Sequence, residues 1–156
     1  MNIHTPINVI FVCYGNICRS PLAEFLFKAL TAGENVTVSS AATSDEEEGN
    51  PVYYAVRPLI EKRGIDCSFF TAHRLTKREC DAADYIIGME TSNVNAIKRI
   101  CGKENENKVF RLLDFTGDGK DIADPWYTRD FPKAEREIER GLNSFHGYLS
   151  AKGELK

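Results

Sequence analysis

Residues Ile7 to Phe27 read INVIFVCYGNICRSPLAEFLF. The run from Ile7 to Val12, β-branched and aromatic apart from Asn8, has the pattern of a strand buried on both faces. It enters a turn, Cys13 to Arg19, with Gly15 and Asn16 inside it. Ser20-Pro21 then offers a helix start with proline at the first helical position. Leu22, Phe25, Leu26, Ala29 and Leu30 recur at the spacing of an apolar helical stripe. A doubly buried strand followed directly by a helix is the opening unit of a parallel α/β sheet.

The remaining chain continues the alternation. Asn35 to Ala42 (NVTVSSAA) reads as a second strand, and SDEEEGN as a solvated acidic loop. Asn50-Pro51 is expected to cap a helix ending at Gly64, with Val52, Val56, Leu59 and Ile60 inward. Thr76 to Glu79 has capping-box spacing. DYIIGM is a third strand, SNVNAIKRI a helix with Val94, Ile97 and Ile100 inward, and KVFRLLDF a fourth strand. A polar loop, Asp114 to Asp130, leads to a last helix from about Pro132 to Tyr148, with Ile138, Leu142, Phe145 and Leu149 on one face. The expected architecture is a single three-layer α/β domain over residues 1–156: a four-stranded parallel sheet, helices on both faces, and the Cys13 to Arg19 loop after strand 1.

Composition narrows the classes. The 156 residues carry a net charge of -3, which gives no reason to expect nucleic acid or an anionic membrane as partner. No segment approaches a membrane span, and MNIHTPINVIFV lacks the features of a signal peptide. Five cysteines (Cys13, Cys18, Cys67, Cys80, Cys101) are an odd number at low density. Free thiols in a reducing, cytoplasmic compartment fit best. His4, His73 and His146 form no pair at zinc-ligand spacing, so neither metal nor cofactor is expected. A monomer is expected.

The turn has its own chemistry. In a parallel sheet, ligands sit at the carboxyl ends of the strands, where Cys13 to Arg19 falls. Successive N–H groups of a tight loop form a nest for an anion, and the following helix N-terminus adds its field. Gly15 permits a strained backbone, and Asn16 tolerates a positive φ. Arg19 presents a planar fork to two oxygens of a tetrahedral oxyanion. The same field favours Cys13 as thiolate nucleophile. The bare Cys-x5-Arg spacing is a weak signal, and its place between strand and helix gives it weight.

CYGNICRSP resembles the phosphate-binding loop of the low-molecular-weight protein tyrosine phosphatases. Asp124 to Tyr127 (DPWY) resembles that family's general-acid loop, and SSAATS, the Gly49 to Pro51 stretch and DYIIGMETSN resemble it at matching intervals. The resemblance implies hydrolysis of phosphotyrosine and small aryl phosphates through a phosphocysteine on Cys13. Arg19 would stabilise the transition state, and Asp124 would act as acid and then base. An acid that starts protonated implies an optimum on the acidic side. Phosphotyrosine-containing proteins would be the partners, and phosphate or other oxyanions inhibitors.

By the same resemblance, Tyr14, Gly15, Asn16, Ile17, Cys18 and Ser20 bind phosphate, with Glu46, Glu47, Trp126 and Tyr127 at the rim. Asn16, Ser20, Ser40 and Glu90 brace the loop, although a helix cap and a polar strand end would equally account for Ser20 and Ser40. Cys13 and Cys18 would form a reversible protective disulfide. The chain departs from the family where Phe70 stands at the place of a common histidine and His73 at that of a usual arginine, so the bracing must be rearranged. Tyr14 replaces a common leucine and should narrow the entrance, and the acidic rim should disfavour acidic phosphopeptides.

Three alternatives compete. An arsenate reductase needs a close pair of further cysteines, and Cys80 and Cys101 lie far apart in sequence. Arginine phosphatases typically carry Thr where this chain has Ile17. A non-catalytic phosphotyrosine-binding or redox-sensing module would more naturally lack Cys13, Arg19 or Asp124.

Overall fold

The computed structural model describes residues 5–155; the first four residues of the stretch read for a signal peptide, His4 among them, lie outside these. Strand β1 is Ile7–Cys13 and helix α1 Arg19–Leu30, followed by β2, Val36–Ala42. Then come α2 (Arg57–Glu61), α3 (Lys77–Ala82), β3 (Tyr85–Gly88) and α4 (Thr91–Cys101). The chain ends with β4 (Val109–Arg111), the four-residue α5 (Pro125–Thr128) and the long α6 (Phe131–Ala151). All strand pairs are parallel, in the order β2-β1-β3-β4.

Strand β1 builds both halves of the core because successive side chains point to opposite faces. Val9, Phe11 and Cys13 join a cluster with α1 and α6, where Phe27 stacks on Phe145 at 5.3 Å. Ile10 and Val12 join the other cluster with Cys80, Ile97 and Cys101 from α3 and α4. Since β2 and β3 flank β1 on opposite sides, the connections diverge at its carboxyl end and open a crevice there. The Cys13 to Arg19 turn occupies that crevice. Among the described residues, no helix is long and apolar enough to cross a membrane.

Several sequence expectations need correction. Helix α1 begins at Arg19, with Cys18 as its uncapped N-cap, because the Ser20 hydroxyl is used elsewhere and the first N–H groups face the crevice. Ala29 and Leu30 are exposed, while Glu24 and Phe27 are buried; α1 is sandwiched between sheet and neighbouring helices, so its buried face is wider than the stripe. Between Asn50 and Gly64 only Arg57–Glu61 is regular helix. Pro58 has no N–H to give to the carbonyl of Tyr54, so the preceding turn cannot continue as α-helix. Val52, Val56 and Ile60 are nevertheless buried, with Leu59 half-buried. In α4, Ile97 is buried but Val94 and Ile100 only half so. The fourth strand stops at Arg111, and Leu112–Thr116 is a 3-10 turn. Consecutive Leu112 and Leu113 are both fully buried in the same cluster, whereas a strand would send them to opposite faces. Leu112 packs so tightly on α6 that a Cβ at Gly141 would lie 2.6 Å from its Cγ.

The expectation of five free thiols is also overturned. Cys80 at α3 and Cys101 at the end of α4 form a disulfide, their Cα atoms 5.4 Å apart. Strand β3 and α4 run antiparallel to one another in this corner, which returns the chain to α3 after 21 residues. Closing a loop of that length is worth about 3 kcal/mol. The double variant Cys80→Ala/Cys101→Ala is therefore expected to lose stability of that order in urea unfolding, and reductant to destabilise wild type but not the variant.

Candidate active site

Cys13 ends β1, and its sulfur lies at the bottom of a pocket. The lining contains Tyr14, Gly15, Ile17, Cys18, Arg19, Glu46, Glu47, Asp124, Trp126 and Tyr127. The structure thus brings together the loop, the acidic segment after β2 and the Asp-Pro segment before α6, all from the carboxyl end of the sheet. The positive φ of the loop falls on Asn16, at 60°, and not on Gly15. Gly15 serves close approach instead: a Cβ there would sit 3.3 Å from the Glu47 Cγ.

A chain of hydrogen bonds runs beneath the loop from Glu24 to the Cys13 sulfur. Glu24, unmarked by the sequence reading, is a buried carboxylate that accepts from the Ser40 Oγ at 2.5 Å and from Lys28 at 2.7 Å. With its proton given to Glu24, the Ser40 hydroxyl accepts from the Asn16 Nδ2 at 3.0 Å. That Nδ2 also donates to the Ser20 Oγ at 2.8 Å. The Ser20 Oγ then lies 3.0 Å from the Cys13 Sγ and 3.5 Å from the Ala41 carbonyl, within reach to donate to the sulfur when it is a thiolate, and the Ser20 backbone N–H also points at that sulfur, at 3.4 Å. The Asn16 Oδ1 accepts from the His73 backbone N–H. A main-chain amide and a carboxylate therefore do the bracing where Phe70 stands; Phe70 packs on Phe25 at 6.0 Å. The only sequence hint of Glu24 is a charge in the apolar face of α1, four residues before Lys28.

Arg19 is 1% exposed. Its guanidinium donates to the Ile122 carbonyl at 2.8 Å and meets Glu90 at 3.3 Å and Asp124 at 3.3 Å. Burial opposes its charge, but Cys13, Asp124 and Glu90 outweigh that and raise its pKa. Asp124 turns its other oxygen to the Trp126 N–H at 3.0 Å, capping α5. Asp114 and Asp121 are tied to Arg111, and Asp118 to Arg140. Cys18 is a free thiol, its pKa pushed up by burial and by neighbouring Cys13. Above the pocket the Tyr14 hydroxyl donates to Glu46 at 2.6 Å, a bond that raises its pKa. Trp126 and Tyr127 are exposed on the facing wall. Tyr53 and Arg129, also unmarked in the sequence, back that wall: the Tyr53 ring is 4.9 Å from Trp126. Among the described residues no group of three or more His, Cys, Asp or Glu is placed to hold a metal ion.

A family model described as low molecular weight phosphotyrosine protein phosphatase matches residues 8–155. The chain is 33% identical over 155 residues to the low molecular weight protein-tyrosine-phosphatase YfkJ of Bacillus subtilis, covering 96% of this chain and 99% of that one. The crystal structure of YfkJ superposes with a TM-score of 0.90 at 30% identity, over 97% of this chain and 99% of that one. A human low molecular weight phosphotyrosine protein phosphatase is 38% identical over 133 residues, 79% of this chain and 82% of its own. Vibrio vulnificus Wzb, solved with benzylphosphonate, matches at a TM-score of 0.82 and 27% identity, over 92% of this chain and 99% of its own.

His73 reaches the loop through its backbone while its half-exposed ring bonds Glu79 at 2.7 Å. That bond raises the His73 pKa from 6.5. Glu79 is lowered from 4.5, burial being outweighed by His73 and the Thr76 cap. The imidazolium contribution to stability is therefore complete below pH 6.5 and lost as the pH rises through the raised value. The carboxylate contribution is present above pH 4.5 and lost on acidification through the lowered value. The urea midpoint of wild type minus that of His73→Gln is expected to be largest between those two pH values and to shrink in mild alkali; a flat difference would show that no charge is involved.

Proposed function

Because the chain belongs to the low molecular weight phosphotyrosine protein phosphatase family, we propose that Cys13, Arg19 and Asp124 carry phosphotyrosine hydrolysis in this protein, with residues 1–156 acting as one such domain. The observation that carries the assignment is that these three side chains, distant in sequence, line one pocket, with Arg19 and Asp124 in contact at 3.3 Å. The phosphate of the substrate enters the cradle of loop N–H groups, and its oxygens draw the Arg19 guanidinium away from Asp124. The Cys13 sulfur attacks phosphorus in line. The S–P bond forms, the P–O bond to the phenol breaks, and Asp124 gives its proton to the departing oxygen. Water then attacks the phosphocysteine while Asp124 takes its proton. The S–P bond breaks, orthophosphate leaves and Cys13 returns as thiolate. Ser20, directed by Asn16, Ser40 and Glu24, donates to that sulfur each time it departs.

Around this centre, Glu90 holds Arg19 in its plane, and Ile17 and Trp126 contact the flat ring of the substrate. Inorganic phosphate and related oxyanions compete for the same cradle. The protein is read as a cytoplasmic monomer acting on phosphotyrosine-containing proteins: Cys13 must be a reduced thiol to act, while the Cys80–Cys101 bridge, which is unusual in a reducing compartment, is fully buried. Cys13 and Cys18 pair only on oxidation; the protonated, buried Cys18 suits a resolving thiol at rest. The Cys80–Cys101 bridge does not favour the arsenate reductase reading, since both cysteines are fully buried in the cluster on the sheet face opposite Cys13.

Two outcomes test this reading. On phenyl phosphate, whose leaving group needs a proton, Cys13→Ser is expected to abolish turnover, and Asp124→Ala to lower kcat/KM by about 100-fold or more. Full activity in Cys13→Ser would remove the mechanism. The second concerns the rim, where Tyr14 is latched to Glu46 and Glu47 lies beside it. Phosphopeptides with basic flanks should show kcat/KM about fivefold above acidic ones at low salt, the ratio falling as salt is added. Glu46→Gln/Glu47→Gln should remove the preference, and equal efficiencies in wild type would sink the idea.

A further inference from the structure

Arg129 is one of two described residues other than glycine with a positive φ, at 61°, and it closes the four-residue helix α5. Glycine would take that conformation freely, yet here the side chain is fully engaged. The guanidinium lies 5.7 Å from the centre of the Tyr53 ring and 5.2 Å from that of Phe131. It donates to the Tyr53 Oη at 3.1 Å and to the Trp126 carbonyl at 3.5 Å. Tyr53 in turn is fastened to the phosphate loop, since its backbone N–H donates to the Ile17 carbonyl at 2.9 Å. The Tyr53 ring also packs on Trp126 at 4.9 Å and on Phe131 at 6.0 Å.

A helix of one turn does not hold its own shape. Its N-cap is Asp124, whose height above Cys13 must therefore be fixed by contacts outside α5. At the front there is Arg19, which a bound phosphate draws away. At the back, the start of α5 is held by buried Pro125 and by Ile122, whose N–H donates to the Met89 carbonyl, and its far end by the Arg129–Tyr53 contact and the ring packing beside it. We propose that Arg129 and Tyr53 form a clasp tying α5 to the phosphate loop, so that Arg129 is a positioning residue for the proton transfer made by Asp124. The clasp keeps the carboxyl over the leaving oxygen once Arg19 has turned to the phosphate. It touches neither phosphorus nor the leaving group, and it rests on the assignment of Asp124 as acid.

Such a role has a signature that general weakening of the fold does not share. Help from an acid matters most for a basic leaving group and little for a stable phenolate. Arg129→Gly relieves the positive φ while removing the clasp. It is expected to lower kcat/KM about tenfold for phenyl phosphate and by less than about twofold for 4-nitrophenyl phosphate. Tyr53→Phe keeps the ring packing, loses the acceptor of the Arg129 bond, and should show the same split to a smaller degree. An equal fall on both substrates, or no fall on either, overturns the clasp; should Arg129→Gly fail to fold, Tyr53→Phe decides alone. Asp124→Ala measured alongside separates the two levels: if it shows no leaving-group split, the acid assignment falls and the clasp with it.

Discussion

The buried guanidinium of Arg19 is the constraint around which the functional end of this protein is arranged. A charge removed from water is tolerated only when paired and hydrogen-bonded, and the loop that carries Arg19 offers it the Cys13 sulfur but no carboxylate. Its remaining partners come from elsewhere: Glu90 from the β3–α4 junction, and the Ile122 carbonyl and Asp124 from the long segment after β4. Removing one member of such a set typically costs about 3–5 kcal/mol. The same contacts that neutralise the cation therefore gather three loops into one pocket, and they can do so only because a parallel sheet brings all strand carboxyl ends to one edge.

Below that cation lies a second layer in which geometry sets proton direction. A carboxylate can only accept, so Glu24 fixes the Ser40 hydroxyl as donor to it, and Asn16 then donates to both serines, leaving the Ser20 hydroxyl within reach of the Cys13 sulfur and the Ala41 carbonyl. Asn16 can span both serines because it adopts the left-handed region, where asparagine is among the least penalised residues. The loop sequence and the β2 strand end thus share one hydrogen-bond network, which explains why polar Ser40 sits in an otherwise apolar strand end.

Much of this was legible in the sequence because it depends on neighbours along the chain. The strand run before Cys13, the Thr76 capping box and the spacing of Ile138, Leu142, Phe145 and Leu149 are local patterns, and those elements formed as expected. Local reading failed where a distant contact or a missing donor overrode propensity. Pro58 cut short a helix whose apolar spacing was otherwise sound. Leu112 and Leu113 left the strand because both found room against α6, helped by the absence of a side chain at Gly141.

The sequence by itself determined the order of strands and helices, the phosphate-type loop and the residues able to do its chemistry, because hydrophobic period, turn residues and side-chain reactivity are properties of short segments. Only the tertiary structure decided which buried polar groups meet. It paired Cys80 with Cys101, put Glu24 under Ser40, gave Asn16 a main-chain amide in place of a side chain, and set Tyr53 and Arg129 behind Asp124. Those pairings join residues that are far apart in sequence, and each is settled by the need of a buried or constrained polar group for a partner, which no local pattern encodes.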